Sequence, residues 1–213
     1  MKNPAAKQTT SASSISQAKI NWDKQGQPIS EEFDDVYFNT DSGIDESRFV
    51  FLNPSQLHQR WSNHQGSFTL LETGFGTGLN FILTWLEWLA YQKEPSQKDI
   101  THSPKASNEI QNSNHLHYIS IEKFPLDKDQ ITQALSLFPQ LKPLSDQLIA
   151  EYPLLIKGFH SLQFKDQNLT LTLIFDDVSS ALPQLNGPID SWYLGGFALA
   201  KNPDMWTEEL YLS

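Results

Sequence analysis

Nine consecutive residues, Glu72-Thr73-Gly74-Phe75-Gly76-Thr77-Gly78-Leu79-Asn80, carry the strongest chemical signal in this 213-residue chain. Alternate glycines let the backbone approach a ligand closely. Where such a turn opens a helix, it also offers unpaired N–H groups to an anionic group. Two ligand groups suit that arrangement: the pyrophosphate of a dinucleotide and the amino-acid end of S-adenosylmethionine. The dinucleotide fingerprint is G-x-G-x-x-G, and here the third glycine arrives one residue early. The E-x-G-x-G-x-G spacing is the methyltransferase version, and a plain strand-to-helix turn is the alternative without a ligand. Two acids gain interest from position. Glu122 closes an apolar segment, where a carboxylate can accept both hydroxyls of a ribose. Asp177 closes another, where a carboxylate can take an adenine amino group, although the neighbouring Asp176 equally suits a solvated turn. A glycine loop, a Glu and an Asp at successive strand ends favour cofactor binding more than any one of them does alone.

Other chemistries lack their residues. There is no cysteine, which excludes disulfides, thiolate zinc sites and cysteine nucleophiles. The six histidines, His58, His64, His102, His115, His117 and His160, show no i, i+4 pair with a helper carboxylate, so no metal site is expected. No G-x-S-x-G elbow is present to anchor a serine hydrolase. The formal net charge is -10, so nucleic acid, if bound, needs a local basic patch or another domain. No apolar run is long enough for a bilayer, and the N-terminus lacks the apolar stretch of a secretory signal. The expected compartment is the cytoplasm.

These residues need a scaffold. Residues 1–19 are rich in Ser, Thr, Gln and Ala without periodicity and read as a disordered tail. Residues 20–66 form an aromatic lead-in with a small hairpin and a short helix around Ser55 to Trp61. Phe68 to Leu71 reads as a buried strand, and Leu79 to Tyr91 as a helix with almost no polar face. Residues 92–114 are polar and long for a loop, and are read as a flexible insertion. Strands are predicted at Leu116 to Ile121, Leu162 to Phe164, Leu169 to Phe175 and Ile189 to Leu194. Helices are predicted from Pro125 to about Leu137, over Ser145 to Glu151, and from Asn202 to about Leu210. Strands alternating with helices predict an α/β sandwich around a parallel sheet, with ligands at the carboxyl ends of the strands. That places the chemistry at Gly74 to Gly78, Glu122, Asp177 and Gly195 onward.

Five segments occur in the order seen in a known family. They are Asp35-Val-Tyr-Phe38, Glu46-Ser-Arg48-Phe-Val-Phe-Leu52, Glu72-Thr-Gly-Phe-Gly-Thr-Gly-Leu-Asn-Phe81, Ile121-Glu-Lys-Phe-Pro125 and Trp192-Tyr-Leu-Gly-Gly-Phe-Ala-Leu-Ala-Lys-Asn-Pro-Asp-Met-Trp206. From about Ile20 to Leu210 the chain resembles the methyltransferase domain of MnmC, the bacterial enzyme family that modifies the tRNA wobble uridine. The resemblance implies a class I, Rossmann-like methyltransferase sheet with helices on both faces, spanning residues 20–213 and lacking its last strands. It implies S-adenosylmethionine held by Glu72, Gly74, Gly76, Gly78, Glu122 and Asp177. It implies methylation of the aminomethyl group of a wobble 5-aminomethyl-2-thiouridine in tRNA. The family usually carries a C-terminal FAD-dependent oxidoreductase domain, absent from this chain, so a separate oxidoreductase partner is implied as well.

Three departures from the family pattern bear on activity. The family motif W-[FY]-L-D-G-F-A-P-A-K-N-P has an acid where this chain has Gly195, and a proline where it has Leu199. The acid is the natural group to steady positive charge on an attacking amine, so restoring Asp at 195 is expected to raise methyl transfer if the site is otherwise intact, and no gain with cofactor still bound favours a non-catalytic chain. Asp176 replaces a family glycine and is expected to crowd the adenine side. The chain ends one helix after its fourth parallel strand, which predicts an exposed strand edge and a fragment of a longer product. The competing functional readings are a catalytically impaired chain that only binds cofactor or a partner, and a nicotinamide-dependent oxidoreductase.

Overall fold

The computed structural model describes residues 15–94, 114–196 and 201. A three-stranded antiparallel sheet opens it: β1 (Ile20–Trp22), β2 (Pro28–Ser30) and β3 (Asp35–Val36). The β1–β2 turn is built by Asp23, whose Oδ1 accepts the N–H groups of Gln25 and Gln27, both at 2.8 Å. Helix α1 (Gly43–Ser47) then runs into a π-helical turn (Arg48–Leu52), followed by α2 (Asn53–Ser55) and α3 (Leu57–Asn63).

The main sheet has five strands: β4 (Ser67–Thr73), β5 (His115–Glu122), β6 (Gly158–Phe164), β7 (Leu169–Phe175) and β8 (Ser191–Leu194). Their order is β6-β7-β5-β4-β8. β4, β5, β7 and β8 are parallel, but β6 runs antiparallel to β7, so the sheet is mixed and the expectation of an all-parallel sheet is corrected. The cause is the β6–β7 connection. It is a single tight turn, Lys165–Gln167, closed by Asn168 in the left-handed region at φ 49°. So short a link cannot make the crossover that parallel neighbours require.

Helix α4 (Leu79–Lys93) follows β4 and buries Phe81, Ile82, Leu83, Trp85 and Trp88 against one sheet face, as its apolar sequence predicts. Trp61 from α3 and Tyr118 from β5 join the same core. Two of the three tryptophan N–H groups find acceptors there: Trp88 Nε1 donates to the Gln167 carbonyl at 2.9 Å, and Trp85 Nε1 donates to Gln167 Oε1, whereas Trp61 Nε1 is buried without an acceptor among the described residues. Helices α5 (Lys128–Leu135) and α6 (Lys142–Glu151) cross from β5 to β6. α5 starts three residues after the predicted Pro125, because Asp127 and Gln130 form a reciprocal capping box. A smaller apolar cluster, Leu71, Ile119, Ile121, Ile174, Val178 and Ala181, lies under α7 (Val178–Ala181), so helices flank the sheet on both faces.

Residues 15–19, read from composition as tail, are seated on this body. Ala18 N–H donates to the Pro125 carbonyl at 3.2 Å, and Gln17 Nε2 to Asp127 Oδ2 at 2.7 Å. At the ends of the expected insertion, α4 continues through Lys93 and Asn114 is buried; residues 95–113 and the predicted helix at 202–210 lie outside the described residues. Among the described residues β8 pairs only with β4, leaving Trp192 and Leu194 exposed on an edge as the sequence suggested. No helix among them is long and apolar enough to cross a membrane.

Candidate functional site

The sheet brings the tips of β4, β5 and β8 side by side, and the glycine loop lies between the first of these and α4. Gly74, Gly76 and Gly78 all have positive φ, at 88°, 53° and 79°. Gly78 is the tightest: a Cβ there would sit 2.8 Å from Phe75 Cζ and 3.2 Å from a Leu148 methyl. Its conformation caps α4 and keeps Phe75 folded under the loop, and its own N–H donates to the Phe75 carbonyl at 2.9 Å.

Glu122, at the tip of β5, fastens the loop. Its Oε2 accepts the Gly76 N–H at 2.9 Å and its Oε1 the Phe124 N–H at 2.8 Å. Burial pushes its pKa up, while backbone N–H groups from Gly76, Phe124, Lys123 and Phe75 pull it back. The sequence assigned Glu122 a ligand; the structure shows that it also shapes the loop. Two bound N–H groups leave acceptor capacity on a carboxylate.

Loop and carboxylate line a cavity of about 530 Å³, a size usual for small-molecule sites. Gly74 to Thr77 and Asn80 form one wall, with Glu122 and Phe124 at one side and Gly195 and Gly196 at another. The facing wall comes from the lead-in, including Lys19, Phe33, Asp35, Tyr37, Glu46, Val50 and Phe51. Sequence reasoning assigned this wall no role in the site, although two of the family segments, Asp35 to Phe38 and Glu46 to Leu52, supply much of it. Tyr37 reaches across to the loop, where a Cβ on Gly76 would lie 3.2 Å from its ring. Burial, then the nearby Glu122 charge, raises the Tyr37 pKa and keeps it a neutral phenol.

Not every sequence candidate reaches the cavity. Glu72 is fully buried behind the loop, accepting from Asn80 Nδ2 at 3.0 Å and Ser120 Oγ at 2.8 Å. Burial raises its pKa to about 7 despite those donors. It therefore acts on the site through Asn80. Gly78 likewise shapes the loop from beneath. Asp177 does not line the cavity: its Oδ1 caps α7 through Ser179 N–H at 2.9 Å, and its Oδ2 pairs with Lys123 at 3.0 Å. Burial pushes the Asp177 pKa up, but Ser179 and Lys123 outweigh it and leave it lowered. Asp176 does not crowd the cavity either, being turned to Lys157 Nζ at 2.8 Å. Among the described residues no cluster of histidines and acids is placed to hold a metal ion.

Gly195 is the position where close approach decides the residue. Thr73 Oγ1 donates to the Gly195 carbonyl at 3.1 Å, and a Cβ on Gly195 would lie 2.7 Å from the Thr73 carbonyl oxygen. No side chain fits until the tips of β4 and β8 part. An Asp introduced at 195 therefore has to move the two strand tips before it can reach the site. Asp190 offers no substitute: it lies at the far end of the sheet, where its Oδ2 accepts the Thr69 N–H at 2.8 Å.

A mixed α/β sheet flanked by helices, with a glycine loop fastened by a strand-tip carboxylate, is an architecture that S-adenosyl-L-methionine-dependent methyltransferases share with other nucleotide-binding proteins. The sequence profile of an S-adenosyl-L-methionine-dependent methyltransferase family matches residues 139–213. The tRNA 5-methylaminomethyl-2-thiouridine biosynthesis bifunctional protein MnmC of Aeromonas salmonicida is 42% identical over 206 residues, 94% of this chain and 29% of that protein. MnmC of Pseudomonas syringae pv. tomato is 43% identical over 196 residues, 91% of this chain and 27% of that protein. The chain thus spans under a third of the length of these relatives. A crystal structure of MNMC2 from Aquifex aeolicus shares the fold, with a TM-score of 0.59 over 92% of this chain and 55% of that one at 17% identity. Over more than nine-tenths of its length the chain is similar to a part of the MnmC proteins.

Proposed function

We propose that this chain binds S-adenosylmethionine at the glycine loop and methylates a primary amine, the aminomethyl group of a wobble 5-aminomethyl-2-thiouridine in tRNA. The observation that carries the reading is the Gly76–Glu122 hydrogen bond at the cavity wall. It brings the bare backbone of the glycine loop and a carboxylate to one space, matching a ligand that packs closely on backbone and carries a ribose. The glycine cradle and the cavity's size fit that ligand. The relatives' names support the wobble-uridine substrate.

Each candidate residue has a role in this reading. Gly74 and Gly76 let the loop backbone approach the amino-acid end. Glu122 takes ribose hydroxyls on its remaining lone pairs. Glu72 holds Asn80 in place, and Gly78 sets the start of α4. Asp177 acts at one remove by steadying Lys123 beside Phe124, which lines the cavity. When bound, the cofactor supplies an already activated sulfonium methyl, so the protein's task is to orient the amine and exclude water. Lead-in residues such as Tyr37 and Phe51 supply that cover.

With a net charge of -10, the chain has little long-range attraction for phosphates. The tRNA is held with help from another domain or chain, an FAD-dependent oxidoreductase that prepares the amine being the partner of choice. A tRNA substrate places the work in the cytoplasm. Calorimetric titration with S-adenosylmethionine tests the reading. One saturable site that is lost in Gly76→Val supports it, and no binding to the purified chain overturns it.

A further inference from the structure

We infer that Glu46 is the carboxylate that receives the acceptor's amine, in a subsite between α1 and the tip of β8; this rests on the methyltransferase reading above. An amine acceptor carries positive charge before and after it is methylated, and a cavity that handles it needs an acid near its reacting end. Gly195 cannot supply one, because the Thr73 carbonyl occupies the space of its Cβ. Glu122 is at the opposite side, where it fastens the loop and its remaining lone pairs are assigned to the ribose.

Glu46 is another acid on the cavity wall. It lines the cavity from α1, which packs against α4, whose first turn carries the cavity-lining Asn80. The π-helical turn that follows α1 sends Phe51 to the Tyr193 ring, 5.3 Å between centroids, two residues before Gly195. Glu46 and Gly195 line the same cavity. One Glu46 oxygen is steadied by Ser42 Oγ at 2.5 Å, which fixes the carboxyl while leaving acceptor capacity for an ammonium. The other acids on the wall are less suited. Asp35 Oδ1 is turned back to the Val36 N–H at 2.9 Å, and Glu32 belongs to the β2–β3 turn on the side of Phe33 and Phe124. The subsite takes a compact primary amine on a nucleoside.

The test is a sequential titration of the full chain, first with S-adenosylhomocysteine and then with 5-aminomethyluridine or its neutral counterpart 5-methyluridine. Glu46→Gln is expected to keep S-adenosylhomocysteine affinity within about twofold and to weaken the amine by about tenfold or more, the scale of one charge-assisted contact. 5-Methyluridine binding should not change, and Glu46→Asp should recover part of the amine affinity. A merely structural role for Glu46 would move both nucleosides together. If S-adenosylhomocysteine binds and the amine binds Glu46→Gln as tightly as wild type, or binds neither, the assignment of Glu46 is overturned while the cofactor site stands. If S-adenosylhomocysteine fails to bind wild type, the methyltransferase reading itself falls, and this inference with it.

Discussion

The Gly76 N–H points at Glu122 Oε2 from 2.9 Å, so the loop after β4 and the tip of β5 are tied into one wall. A loop held in this way meets its ligand preorganised, and the ordering cost falls on folding instead of binding.

Removing the tie should damage both ligand and loop. Glu122→Ala leaves the Gly76 and Phe124 N–H groups without their acceptor in a half-buried site, a loss of about 1–3 kcal/mol. S-Adenosylmethionine affinity is expected to fall at least about tenfold by calorimetry. Wild-type affinity in Glu122→Ala would remove Glu122 from the site.

Glu72 gives the chain a pH-dependent stability of defined sign. Burial raises its pKa from 4.5 to about 7 in the folded state, so folding favours the protonated form. Its contribution is fully present below about pH 4.5 and is lost as pH rises through about 7, on the order of 3 kcal/mol in total. Urea unfolding of wild type minus Glu72→Gln should show this difference falling from pH 5 to pH 8, with the Gln variant the more stable at pH 8. A difference that stays flat with pH contradicts a protonated Glu72.

Two substitutions at Gly195 separate space from charge. Gly195→Ala adds only the Cβ that meets the Thr73 carbonyl, and overpacking of this kind costs about 1–3 kcal/mol. Both Gly195→Ala and Gly195→Asp are expected to lower the thermal midpoint by several degrees, and Asp should not raise methyl transfer unless β8 moves. An unchanged midpoint in Gly195→Ala would show that the strand tips yield freely.

Gly78 and Gly66 form a matched pair. Both have left-handed backbones, φ 79° and 86°, but a Cβ at Gly78 meets Phe75 at 2.8 Å while one at Gly66 meets nothing within 4 Å. Gly66→Ala should cost about 1 kcal/mol of backbone strain, and Gly78→Ala clearly more. Equal losses by urea unfolding would mean Phe75 swings aside without cost.

The sequence by itself determined the elements whose cause is local. Alternate glycines after an apolar run specify the loop, the continuous apolar face of α4 specifies a buried helix, and strand-end acids are legible because they interrupt apolar runs. What tertiary structure alone decided concerns which way groups turn once the strands are side by side. Glu72 faces the interior because Asn80 and Ser120, eight and 48 positions away, both donate to it. Asp177 turns out of the cavity because Lys123 and the start of α7 claim its oxygens. β6 reverses because its turn is too short to cross over. Gly195 stays bare because the Thr73 carbonyl, 122 residues earlier, fills the space. Periodicity and spacing encode the free energy of a segment against water. They do not encode contacts between groups that meet only after the chain has closed, and those contacts settle the geometry of this site.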